Sequence, residues 1–126
     1  MRRVFTPTIT AAFILALGAS AVAKVETVKG QLIDKACYER NPKNNGQTHV
    51  DRPIDECATA CAKYPLPLAV LTASGQVYQI VGELAKSKNA KLVPHLTHII
   101  EVTGDVTTDE EGTMKIAGTD LKMAGK

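Results

Sequence analysis

Two stretches far apart in the chain share one form, Val28-Lys29-Gly30-Gln31-Leu32 and Val102-Thr103-Gly104-Asp105-Val106, each V-x-G-x-apolar within β-prone surroundings. A glycine inside a strand gives up a packing side chain and costs backbone entropy, so matched glycines mark a bend, a bulge or a close approach of two backbones. Two strands that must bend sharply suit a small sheet closed on itself, because a barrel turns corners that a flat sheet does not.

The rest of the pattern fills in around them. Residues 25–33 and 99–106 read as the two curved strands. Residues 68–72 and 76–81 flank Ala73-Ser74-Gly75, a short glycine-containing turn, and so form a hairpin. A polar, helix-tolerant segment covers 83–92 and is stopped by Pro94. After the acidic turn Asp109-Glu110-Glu111-Gly112 a last strand is expected over 113–121, with a frayed tail from 122. The chain is therefore expected to be mainly β. The order strand, long insertion, hairpin, helix, strand, strand fits a five-stranded OB-like Greek-key barrel with one helix between its third and fourth strands. An open β-sandwich is the alternative.

The first residues give an address. Met1-Arg2-Arg3 is followed by a mostly apolar stretch over 9–22 and by Ala21-Val22-Ala23 ahead of Lys24, the layout of a secretory signal peptide over 1–23. The apolar stretch is shorter than the roughly 20 residues of a membrane span, so no stable anchor is expected after cleavage. Arg2-Arg3 leaves a twin-arginine route open beside the general secretory one. The expected mature unit, 24–126, is one domain with a cysteine-containing insertion at 37–66. Both phenylalanines, Phe5 and Phe13, and two of the basic residues leave with the signal, so the mature chain is close to neutral. Export to the periplasm or beyond also sets an oxidising context, in which the odd number of cysteines, three, leaves one thiol over from any pair.

On four motifs the chain resembles small secreted bacterial proteins with an OB-like fold. These are G-x-L-I-D-x-x-C at 30–37, C-A-x-x-C-A-K at 57–63, A-V-L-T-x-x-G-x-V-Y at 69–78 and V-x-G-x-V at 102–106. The resemblance covers most of the mature chain and implies a fold and an exported address. It implies no activity, since function lives in sites rather than folds.

The insertion between the first two strands is about thirty residues, well beyond ordinary loop lengths, and loops of that size are usually functional or tied down. Its first half, 38–46, is polar and turn-rich and reads as mobile. In its second half Pro53, Asp55, Glu56, Lys63 and Pro65 outline a short helix that carries Cys57 and Cys61 on one face, one turn apart. With Cys37 at the end of the first strand and His49 on the loop, these thiols could converge as a Cys3His set on copper or zinc. A disulfide from Cys37 to Cys57 or Cys61 would instead staple the loop, stabilising it by about 3 kcal/mol in the chain-entropy model. A thiol redox site ranks third, because C-x-x-x-C is not the usual spacing and Asp55 and Glu56 oppose thiolate formation. Ala62, where histidine would be needed, argues against covalent haem.

Other candidates are weaker. His95 and His98 read as a solvated pair at a strand end rather than as ligands, and Asp34 and Glu39 as a carboxylate pair without a nucleophile. No phosphate-cradling glycine loop is present, so the expectation is not an enzyme. A neutral chain whose mature aromatics are Tyr38, Tyr64 and Tyr78 is poorly suited to single-stranded nucleic acid. The reading is an exported, non-enzymatic binding module with a Cys/His metal site, whose partner is a metal ion or another exported protein. The alternative is a structural or protein-interaction domain with stapling cysteines.

Overall fold

The computed structural model describes residues 23–48, 53 and 66–125. Five strands form a closed barrel: β1 (Lys24–Asp34), β2 (Leu68–Leu71), β3 (Val77–Val81), β4 (Ile99–Thr108) and β5 (Met114–Gly125). Around the barrel they run β1-β2-β3-β5-β4, and β1 closes it by pairing antiparallel with β4. The β3–β5 pair is parallel and the others are antiparallel.

The two matched glycines stand where the wall turns. Gln31 pairs with both Leu71 on β2 and Ile99 on β4, so β1 passes from one neighbour to the other at this point. A side chain on Gly30 would collide with the Leu71 carbonyl just beside it. On the far side, the β4–β5 register slips between Thr103 and Gly104, Gly104 lies opposite Gly118, and a side chain on Gly104 would strike the Ala117 carbonyl. Bulge and glycine together give the strong local twist that closure needs.

The barrel is filled by Val28, Leu32, Leu68, Val70, Ile80, Ile100, Val102 and Ile116 from the strands. Leu84, Leu92 and Leu96 complete the core from the β3–β4 connection. That connection is not one continuous helix over 83–92. It is a 3-10 turn at Gly82–Ala85, a helical turn at Lys86–Asn89 and a second 3-10 turn at Val93–His95. Ser87, Lys88 and Asn89 take left-handed backbone angles, which interrupt any regular helix. The physical reason lies in the spacing of the leucines. Between Leu84 and Leu92 the segment offers no apolar stripe at helical period, so only the leucines gain from burial and the polar residues between them turn the chain.

The hairpin turn forms as expected, with Gly75 at φ 86° and its N–H donating to the Thr72 carbonyl at 3.0 Å. The tail is more ordered than its composition implies. β5 continues through Lys122 and Met123 to Gly125, pairing with Glu101, Ile100 and Ile99. No helix among the described residues is long and apolar enough to cross a membrane.

Candidate functional site

β1 runs into the insertion without a break. Asp34, the last strand residue, is the N-cap of a helix, α1 (Lys35–Arg40), and its Oδ1 accepts the Cys37 N–H at 2.9 Å. An aspartate three residues ahead of the donor is the standard geometry for satisfying a first-turn amide. At the other end of α1 the Cys37 carbonyl accepts the Asn41 N–H at 3.1 Å and the Asn44 side-chain amide at 3.0 Å. Both backbone groups of Cys37 are thus held, and the thiol starts from a fixed, half-buried position. Asp34 and Asn44 are 5% and 4% exposed, which excludes water as a competitor for these bonds.

The first half of the insertion, expected to be mobile, is packed onto the barrel. Gly46, at φ +84°, lies so close over β1 that an added side chain would run into Gln31 and crowd Ile33. Ile33 is 1% exposed, yet it does not belong to the barrel's interior cluster. Its burial comes from the outer side, where Gly46 approaches its Cγ2. Gln31 Nε2 donates to the Gly46 carbonyl at 3.2 Å and also to the Thr97 carbonyl, joining the insertion to the β3–β4 connection through one buried amide. Where the insertion returns, the Asn89 side chain donates to the Leu66 carbonyl at 2.8 Å and Lys35 N–H donates to the Pro67 carbonyl at 3.1 Å.

A single pattern emerges. The buried polar side chains among the described residues are Gln31, Asp34, Asn44 and Asn89, and each bonds the backbone of the segment between β1 and β2. Burying polar groups costs free energy unless their hydrogen bonds are made, so these four residues tie fold stability to the position of that segment.

Of the four expected metal ligands, the structure places Cys37 at this anchored base, while His49, Cys57 and Cys61 lie outside the described residues. The expected helix over 53–65 also lies outside them, Pro53 apart, as do Tyr64 and residues 1–22. Among the described residues no three His, Cys, Asp or Glu side chains converge on one point. Asp34 caps α1, and Glu39 pairs with Lys35 along it. Tyr78 packs partly against the core.

Sequence reasoning missed Gln31, Asn44 and Asn89 altogether. The D-x-x-C spacing of Asp34 and Cys37 was the one available signal of a cap. The electrostatics at the β4–β5 turn are simple. Asp109 accepts the Thr113 N–H at 2.9 Å and the Glu111 N–H at 3.0 Å and pairs with Lys115 at 3.3 Å, and these contacts, Thr113 first and then Lys115, hold its carboxyl below the usual aspartate range. Glu83 is likewise lowered, first by the hydrogen bond from Lys86.

No protein-family model matches this chain, and neither the curated proteins nor the solved structures give a significant match.

Proposed function

We propose that this chain is an exported, non-enzymatic binding module on an OB-like barrel, with Cys37, His49, Cys57 and Cys61 as a soft-donor site for copper or zinc. The strand order around the barrel and the parallel β3–β5 pair support the OB-like reading. That β1 begins at Lys24, the residue after the Ala21-Val22-Ala23 run, fits cleavage at that point.

The observation that carries the reading is the anchoring of Cys37. A ligand whose backbone is fixed on both sides by buried side chains loses little freedom on binding, and such preorganisation is what a metal site requires of its supporting residues. Three thiolates with an imidazole form a donor set suited to Cu(I) or Zn(II).

The test is a titration of reduced protein with Cu(I) or Zn(II), comparing wild type with His49→Ala and Cys37→Ser. Weakened binding in the first variant and near-abolished binding in the second support the site. Binding no tighter than that of an ordinary surface histidine would overturn it. In that case a drop of roughly 2–5 kcal/mol in the stability of oxidised Cys37→Ser would identify a loop-stapling disulfide instead.

A further inference from the structure

Beside the bend at Gly30 a cavity of about 810 Å³ opens between the insertion, at Asn45 and Gln47, and the β2–β3 turn. That size is usual for a ligand site. Leu71 and Ile99 make part of its lining apolar, and Lys29 is the one charged residue among the described residues that line it. Gln31 lines it too, 7% exposed, with its side-chain N–H groups spent on the Gly46 and Thr97 carbonyls. Its Oε1 accepts from no donor among the described residues, which leaves a largely buried acceptor that a ligand N–H would satisfy.

The sheet is also incomplete here. Gln31 pairs with Leu71, the last residue of β2, and the chain then turns away, the Thr72 N–H donating to the Gln76 carbonyl at 2.9 Å. From Gly30 back to Lys24, β1 has β4 as its only strand neighbour among the described residues. Backbone groups alternate sides along an antiparallel strand. Leu32 bonds toward β4 with both of its own, at His98 and Thr97, so those of Gln31, Lys29, Thr27 and Val25 face the other way. The Thr27 and Thr103 hydroxyls, 2.8 Å apart across the β1–β4 pair, agree, because side chains come closest where a pair exchanges no backbone bonds. The N–H and C=O of Lys29 thus lie on an open strand edge, along which Val25 is 67% exposed.

We propose that this edge and its cavity bind an extended peptide segment of another protein, added to β1 as a strand along the line that β2 leaves at Leu71. The site shares no residue with the thiol set. Strand addition takes its affinity from main-chain bonds, and the unspent donor and acceptor of Lys29 are what a peptide backbone matches. Walls on two sides, the insertion and the β2–β3 turn, suit a single chain rather than a folded domain. In this register the residue opposite Lys29 exchanges backbone bonds with it, as the Gln31–Leu71 pair does one step along. Its side chain stands beside the Lys29 ammonium, where an acidic residue fits. Glu101 on β4 lies between Lys29 and Lys122, which leaves one positive charge over. A lysine on an open edge also repels stray strands, and the experiment separates the two roles.

The test follows backbone amide exchange by NMR in the mature chain, alone and with a millimolar heptapeptide of alternating valine and threonine around a central glutamate, acetylated and amidated. In the free chain Val28 and Gly30 should be protected by β4, while Lys29 exchanges at least about tenfold faster. With the peptide, the Lys29 amide should slow by about tenfold or more. The same peptide N-methylated at its glutamate, whose N–H faces Lys29, should give no protection. N-methylation at the next residue, whose N–H faces away, should leave the protection intact. Lys29→Gln, at an exposed position, should weaken binding and keep the fold. A Lys29 amide already protected in the free chain, no slowing with the unmodified peptide, or equal slowing by the glutamate-methylated one would overturn the proposal. The last result would mean adsorption through charge.

Discussion

The barrel wall and the insertion it carries are held by different forces. Apolar side chains fill the wall, and their burial, repeated over many residues, makes the wall insensitive to any one polar contact. The insertion is held at a few points, each a buried amide or carboxylate bonded to its backbone. Loss of one such bond should free part of the insertion while the barrel stays closed. A segment built this way can be precise where it meets the barrel and adaptable elsewhere, as a binding loop on a rigid scaffold must be.

The largest expected effect lies in the wall. Gly104→Val would drive a branched side chain into the Ala117 carbonyl at the β4–β5 slip, where no rotamer change can relieve a backbone collision. The expected cost exceeds about 4 kcal/mol, seen as loss of the cooperative unfolding transition. A variant that unfolds like wild type would show that the corner is soft.

A smaller and more local effect is expected at the base of the insertion. Asn44→Ala removes the side-chain amide that bonds the Cys37 carbonyl beside the Asn41 N–H and should cost about 1–3 kcal/mol. Hydrogen exchange should rise over 37–46 and stay unchanged in β4 and β5. Equal deprotection of the strands would erase the distinction between the two regions.

How much of this was legible in the sequence follows the same division. Period-2 patterns and the glycine pair marked the strands and the corners, because many residues repeat the same signal. The left-handed run at Ser87, Lys88 and Asn89 was not legible, since a stretch of good helix formers conceals a turn that only the leucine packing dictates. Nor could Asn44 be told from its neighbours in a run of polar residues. One asparagine of the Asn44-Asn45 pair is buried beneath the loop while the other is partly exposed, a choice made by tertiary contact alone. Cys37 could be singled out as chemistry. Its anchoring could not, because the four residues that secure the insertion are scattered from 31 to 89 and bond backbone, which carries no sequence signature.

The smallest effect is electrostatic. Asp109 is held below the ordinary aspartate value by the Thr113 amide, the Lys115 ammonium and the Glu111 amide, so the folded chain takes up its proton less readily than the unfolded chain. Its contribution to stability is therefore present above the unfolded pKa and is lost as pH falls through the lower folded one. Carboxyl NMR titration should find Asp109 below the free value, and Asp109→Asn should flatten the acid limb of the stability profile slightly. An ordinary titration would mean that the turn bonds are not kept in solution.

The central claim, that the anchored Cys37 belongs to a metal-bound thiol set, is tested most directly by differential alkylation of protein recovered from the exported fraction and read by mass spectrometry. Cys37, Cys57 and Cys61 should resist alkylation until a chelator is added, and should then react together without reductant. Thiols that react at once, or two that react only after reduction and before it leave the chain two hydrogens lighter, would contradict the claim.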